Sequence, residues 1–348
     1  MFLIRADGNA QIGAGHLMRC LTIAEEFAAL YGRENICFVC AEVSSAELVV
    51  DDNFQAYVLG TDYQELELEL SEWDRLPSEL RLKKSLKKPV ILVDSYYVTD
   101  KYLASLRAYG YVVLLDDFGE HCYPVDCVIN YNAPADPWHY RRLYQGKDVM
   151  QLIGNRYTPV RRQFCDAAYQ VKEEVHSVLI TTGGGDQDNI AGKILERLYD
   201  RNWIFYLVTG RFNPNLQKLK ELENNFDNVH ICYDVKNMAE LMEKCDVAVT
   251  AGGSTVYELA AVGVPFICFS YAENQEILTN YIRAENITGE AGAWHKDPEK
   301  TLEAIALLFE SLIRDWKKRV TVSQRIKSMV DCKGAVRLAE ELNKYYVT

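Results

Sequence analysis

The chain has 348 residues, with 38 Lys and Arg against 50 Asp and Glu, giving a formal net charge of −12. A single hydrophobic core stops growing near about 250–300 residues, so two domains are expected. The acidic balance, with no basic stripe, disfavours non-specific binding to nucleic acid or to an anionic membrane surface, and apolar runs such as Val90–Val93 and Val264–Phe269 are too short to span a bilayer.

Met1 opens directly on a strand-like segment, so no signal peptide is expected and the expected location is the cytoplasm. The ten cysteines lack the spacing of a disulfide scaffold and read as reduced core residues. Cys37 and Cys40 form a CxxC, but strand alternation across Ile36–Cys40 sends them to opposite faces, and no second pair completes a zinc site.

The first element, Met1–Ala6, is a short apolar strand that runs through Arg5 toward Asp7. The turn Gly13-Ala14-Gly15 follows, and His16 stands where a helix begins. Glycines let backbone approach a ligand closely, and a helix N-terminus offers unpaired N–H donors with a positive dipole end. Histidine is the side chain suited to moving protons near neutral pH. The segment therefore predicts chemistry on an anionic ligand, with His16 as the leading proton-transfer group. A dinucleotide fingerprint is set aside, because Met18 replaces its third glycine and the loop Gly8–Ile12 is too long for its tight turn.

Further strands are expected over Ile36–Cys40, Gln55–Leu59, Val90–Asp94, Tyr111–Asp116 and Cys127–Asn130, with helices beginning near His16, Ser44, Ser78 and Thr99. Between Gly60 and Pro89 an acidic group (Glu65, Glu67, Glu69, Glu72) precedes a basic one (Lys83, Lys84, Lys87, Lys88) and reads as exposed helix and connector. Residues 146–168 show no core pattern, contain Gly154, Pro159, Arg156, Arg161 and Arg162, and read as a linker. The βα alternation then restarts at Val178–Ile180, Trp203–Val208, Val229–Ile231, Val247–Val249 and Pro265–Phe269. The expected fold is α/β: two Rossmann-like doubly wound domains facing across a cleft, spanning 1–155 and 156–348, with the last helix able to pack back on the first. Ligands of such sheets bind outside the carboxyl ends of the strands.

The second half carries two Gly-rich turns. Thr181-Thr182-Gly183-Gly184-Gly185-Asp186 lacks the Lys-Ser/Thr of a P-loop, and close approach to a phosphate or sugar is preferred over a plain tight turn. Thr250-Ala251-Gly252-Gly253-Ser254-Thr255 opens a helix whose first turn could cradle a diphosphate, with Glu258 placed to accept ribose hydroxyls. A capping box explains Ser254, Thr255 and Glu258 equally well, and the two readings stand level on this segment alone.

Gly263-Val264-Pro265 and Asn274-Gln275 complete an ordered set, with the Gly-Gly-Ser-Thr turn and Glu258, that resembles the nucleotide-binding half of GT-B sugar-nucleotide enzymes. That group includes the lipid-II-forming N-acetylglucosaminyltransferase. In the first half, Arg5-Ala6-Asp7, Ile12-Gly13-x-Gly15-His16-x-Met18-Arg19-Cys20-Leu21, Val93-Asp94-Ser95-Tyr96, Leu115-Asp116-Asp117, Asn130-Tyr131-Asn132 and Leu152–Tyr157 sharpen the match. With Thr182–Asp186 they resemble the UDP-sugar hydrolase family of pseudaminic acid biosynthesis (PseG) and its spore-coat polysaccharide relatives, over most of residues 1–280.

The resemblance implies hydrolysis of UDP-2,4-diacetamido-2,4,6-trideoxy-β-L-altropyranose to the free sugar and UDP, by inverting attack of water on the anomeric carbon, without metal or other cofactor. His16 would be the general base, and Gly13 and Gly15 would shape the sugar pocket. Ser254, Thr255 and Gly253, with the turn through Gly184, Gly185 and Asp186, would hold the diphosphate, and Glu258 the ribose. Asn274 and Gln275 would face the sugar, with Asp94 and Tyr96, and with Arg5 and Asp7 at the first strand end, as further binding candidates. The expected partner is the UDP-sugar substrate, for a monomer or weak homo-oligomer without nucleic-acid partners or stable membrane insertion.

The chain departs from the compact family form through Gly60–Pro89 and the tail after Thr301. Gly-Gly-Gly-Asp replaces the usual Gly-Gly-Ser-Asp, and Ser95 stands where the family often has His, which leaves the sugar open. A GT-B glycosyltransferase using a UDP-sugar donor and a non-catalytic sugar-nucleotide-binding module are the alternatives. His121, His139, His176, His230 and His295 lack metal spacing and read as structural.

Overall fold

Strands that are apolar at every position, rather than at alternate ones, belong in parallel sheets covered on both faces. The computed structural model, which describes residues 1–76, 88–183 and 185–347, shows two such sheets. Gly184 and the helix expected near Ser78 lie outside the described residues.

The first sheet contains β1 (Phe2–Ala6), β2 (Ile36–Cys40), β3 (Gln55–Val58), β4 (Val90–Asp94), β5 (Tyr111–Leu115), β6 (Cys127–Asn130) and β7 (Met150–Ile153), in the order β3-β2-β1-β4-β5-β6-β7. The second contains β8 (Ser177–Thr181), β9 (Ile204–Thr209), β10 (Val229–Tyr233), β11 (Val247–Ala251), β12 (Phe266–Ser270) and β13 (Gly289–Ala293), in the order β10-β9-β8-β11-β12-β13. All pairings are parallel, and β1, β2, β4, β8, β11 and β12 are buried along their whole length. Both sheets are doubly wound, as the alternation of apolar runs and helical patterns predicts.

Two strands went unread in the sequence, and both are edge strands. β7 falls inside the segment taken as a linker, because Met-Gln-Leu-Ile is short and only half of it is buried. β13 reads Gly-Glu-Ala-Gly-Ala, which has no β-propensity, and is recruited by pairing with β12.

The acidic segment also needs correction. Leu66, Glu69, Trp73 and Leu76 recur at helical spacing and are all buried, so one face of this segment is core rather than solvated surface. Glu69 is fully buried because it meets Arg5: Arg5 Nε donates to Glu69 Oε2 at 2.8 Å, Arg5 Nη2 bonds Glu69 Oε1, and the Tyr102 hydroxyl donates to Glu69 Oε2 at 2.9 Å. A buried carboxylate paired in this way is tolerated; alone it would not be.

The chain divides into two compact units. One consists of Met1–Asn9, His16–Pro159 and the chain from Lys333 onward, and the other of Ala10–Gly15 and Val160–Cys332. The last helix, Gly334–Val347, therefore belongs with the first sheet. There Tyr345 stacks on Tyr111 with ring centroids 4.1 Å apart, and Arg337 Nη1 donates to the Arg156 carbonyl at 2.7 Å. Gly334 makes this docking possible, since any Cβ at that position would overlap the Thr158 backbone. Gly334→Ala is expected to destabilise the first unit by about 1–3 kcal/mol, read as a lower denaturant midpoint.

Candidate active site

An open parallel sheet has a crevice where the strand order reverses, beside the carboxyl ends of two neighbouring strands. In the first sheet that point lies between β1 and β4, where Ala6 pairs with Asp94. The loop after β1 leads to the helix Gly15–Tyr31, which starts beside Asp94, the last residue of β4. His16 Nδ1 lies 2.6 Å from Asp94 Oδ1. A carboxylate at that distance makes Nδ1 the protonated nitrogen of the neutral ring and leaves Nε2 as its basic atom.

Asp94 is fully buried, and burial alone would raise its pKa. The charges of Arg19 and His16 and their hydrogen bonds override this and hold the carboxyl well below the usual range. Arg19 Nε donates to Asp94 Oδ2 at 2.6 Å and Nη2 to Oδ1 at 2.6 Å, the bidentate geometry of a guanidinium–carboxylate pair. Arg19 lies one helical turn from His16, so one face of the helix carries both groups to the carboxylate.

The network continues through Asp117, which follows β5. Arg19 Nη1 donates to both Asp117 oxygens at 2.9 and 3.0 Å and to the Tyr131 hydroxyl at 2.9 Å. Asn132 Nδ2 donates to Asp117 Oδ1 at 3.0 Å, and the Tyr96 hydroxyl to Asp117 Oδ2 at 2.8 Å. Tyr96 is thereby tethered at its polar end, with its ring edge-on to His16 at a centroid distance of 4.6 Å and 41% of its surface exposed. Arg19, Asp117, Tyr131 and Asn132 were not singled out as site residues from the sequence. The signal for Arg19 was its three-residue spacing from His16; the others lay in the motifs that carry the family resemblance, and tertiary contact brings them to Arg19.

Arg5 and Asp7 are held by protein groups. Both are buried, Arg5 completely. Arg5 bonds Asp7 as well as Glu69, and Asp7 Oδ1 accepts from the Ala41 amide at 2.8 Å. These bonds tie the end of β1 to β2 and to the Glu69 segment. Gly13 has φ +72°, which favours glycine for conformational reasons. Gly15 has no such need, and a Cβ there would meet nothing within 4 Å.

In the second unit the strand order reverses between β8 and β11, and both Gly-rich turns follow those two strands. After β8, Gly183 has φ +89°. A Cβ at Gly185 would come no nearer than 3.7 Å to the Ala10 carbonyl. Asp186 is buried, and its carboxylate accepts from the amides of Ile190 at 2.6 Å and Ala191 at 3.0 Å, at the start of the helix Ile190–Leu198.

After β11, Gly252 packs so tightly on Thr279 that a Cβ would overlap it, whereas the nearest atom to a Cβ at Gly253 is Gln275 Nε2 at 3.8 Å. Ser254 is exposed, has helical dihedrals and makes no side-chain cap to the helix Thr255–Val262. Glu258 does not reach back to complete a capping box. Its Oε1 accepts from Arg161 Nη2 at 2.8 Å. The capping reading is thus not realised, and the exposed amide end of this helix keeps its capacity to receive an anion. Gln275 Oε1 accepts from the Tyr271 amide at 2.8 Å, which fixes the turn before the helix Glu276–Ala284, and Asn274 is half-buried in that turn. Among the described residues no group of three or more His, Cys, Asp or Glu could hold a metal ion, and no helix is long and apolar enough to cross a membrane.

Comparison with known proteins follows the same division. The profile of the glycosyltransferase family 28 C-terminal domain matches residues 177–311. The UDP-2,4-diacetamido-2,4,6-trideoxy-beta-L-altropyranose hydrolase of Campylobacter jejuni is 26% identical over 284 residues, covering 80% of this chain and 95% of that protein. The spore coat polysaccharide biosynthesis protein SpsG of Bacillus subtilis is 24% identical, covering 99% of this chain and 98% of that protein. Among solved structures, MurG of Acinetobacter baumannii aligns over 99% of both chains with a TM-score of 0.64 at 12% identity.

Two Rossmann-like domains with such neighbours define a GT-B-like protein. Within that class the chain is similar to the Campylobacter UDP-sugar hydrolase and to the spore-coat protein SpsG, as its motifs indicated.

The Asp94 carboxyl titrates lower in the folded chain than its unfolded value of about 3.9, so its charge stabilises the fold at neutral pH and that contribution is lost as pH falls below about 4. Denaturant midpoints measured from about pH 7 down to about pH 3 should therefore fall for wild type, and the drop should be smaller for Asp94→Asn.

Proposed function

We propose that this protein is an enzyme that hydrolyses a UDP-linked deoxyamino sugar, UDP-2,4-diacetamido-2,4,6-trideoxy-β-L-altropyranose or a close analogue, in the assembly of nonulosonic acids or other surface glycans. The observation that carries the reading is the His16–Asp94 pair at 2.6 Å, at the switch point of the first sheet. The Campylobacter relative, whose name states this hydrolysis, supports the substrate class.

In this reaction His16 Nε2 takes a proton from water while the water oxygen bonds to the anomeric carbon. The bond from that carbon to the β-phosphate oxygen breaks, and its electron pair leaves with UDP. The products are the free sugar with inverted configuration, UDP and a proton that returns to solvent through His16. Asp94 fixes the imidazole tautomer and stabilises the imidazolium as it forms. Arg19 holds Asp94 in place, and Tyr96 offers a ring face to the sugar.

Departure of UDP needs donors where charge develops. The amides of Ser254 and Thr255 at the start of the helix Thr255–Val262, with the Gly183–Gly185 turn, are assigned to the diphosphate. Glu258 is assigned to the ribose, and Asn274 and Gln275 to the sugar. The match to the family 28 glycosyltransferase C-terminal domain favours one second reading, in which an acceptor hydroxyl replaces water at the same carbon.

Incubation with UDP-sugars in ¹⁸O-enriched water, followed by phosphorus NMR and mass spectrometry, separates these chemistries. Hydrolysis at the anomeric carbon places label in the sugar and none in UDP. Turnover that requires an added acceptor would instead establish the transferase. His16→Ala is expected to lower UDP release by about 10²–10⁴-fold while UDP affinity stays near the wild-type value.

A further inference from the structure

Arg161 stands at the start of the second unit, in a segment that the sequence alone assigned to a linker. It immediately precedes the short helix Arg162–Cys165, and its guanidinium lies over the Phe164 ring at 4.9 Å from the centroid. Arg161 Nη2 donates to Glu258 Oε1 at 2.8 Å, with side-chain exposures of 25% for Arg161 and 15% for Glu258. The same guanidinium carries a buried Nε with no hydrogen-bond partner. A buried donor left unpaired is costly, so this pose does not maximise Arg161's own hydrogen bonding; it commits the fork to Glu258.

We infer that Arg161 is a positioning residue for nucleotide recognition: by holding one oxygen of Glu258, it fixes the carboxylate for the hydroxyls of a ribonucleoside diphosphate. The inference rests on the assignment of Glu258 to the ribose made above. A glutamate on the first turn of a helix is free to rotate into solvent, and a ligand that recruits it must first order it. Arg161 does this ordering in advance. Phe164 below and Glu258 ahead fix the guanidinium plane, and an Arg–carboxylate contact of this length is charge-assisted. The carboxylate then meets the sugar hydroxyls with its rotamer already set, and specificity for a ribose over a deoxyribose follows from a hydrogen bond that the deoxy ligand cannot make.

The test is calorimetric binding of UDP and of 2′,3′-dideoxy-UDP to the full chain. Wild type should prefer UDP, and Arg161→Gln should reduce that preference by about tenfold while affinity for the dideoxy ligand changes little. Arg161→Met, which keeps the aliphatic stem over Phe164, replaces the Gln variant should that one fail to fold, with the same expected loss. In a Glu258→Gln background the Arg161 substitution should have no further effect on the preference.

A wild-type preference that persists in the Arg161 variants overturns the inference and leaves the ribose role of Glu258 standing. So does an equal loss of affinity for both ligands, which marks a merely structural ion pair. Absence of any preference in wild type overturns the Glu258 assignment and the inference together.

Discussion

The buried ion pair between Arg19 and Asp94 is the constraint on which the first domain's site depends. Asp94 ends the central strand β4 in a place without solvent, where a carboxylate is tolerated only with a cation in bonding contact. Arg19 satisfies that demand and thereby fixes the rotation of the helix Gly15–Tyr31 about its axis. His16, one turn earlier on the same helix, then has no choice of partner. Helix orientation and imidazole tautomer both follow from one electrostatic requirement.

Both domains apply the same topological rule with different chemistry. Each sheet reverses its strand order once, and each crevice so created is bordered by turns that carry small residues. In the first domain the crevice collects a histidine, two carboxylates, a guanidinium and a tethered tyrosine, a set suited to moving a proton. In the second it exposes the amide end of a helix and a glutamate held by arginine, a set suited to binding an anion and hydroxyls. The proposed reaction would draw on both sets, a base for the nucleophile and fixed donors for the leaving group.

Much of this was legible before any coordinates. The central strands announced themselves because a strand covered on both faces is apolar throughout, and His16 was conspicuous because a glycine turn and a helix start flank it. What escaped reading lacked a local signature. The edge strands β7 and β13 are weakly apolar and owe their conformation to a neighbour. Glu69 looked like one of several surface glutamates, and only Arg5, sixty-four positions away, explains its burial. Asp186 looked like part of a ligand loop, and only the fold shows its carboxylate accepting from two amides at the start of the helix Ile190–Leu198.

By itself the sequence determined the architecture and the family resemblance and singled out His16 as the candidate proton-transfer group, because periodicity and motif spacing are properties of neighbouring residues. Only the tertiary structure decided which charged side chains are partners. Asp94 meets His16, Arg5 meets Asp7 and Glu69, and Glu258 pairs with Arg161. The physical reason is that a charge keeps its ionised form in the interior only where folding brings a counter-charge within bonding distance, and sequence separation carries no record of that distance.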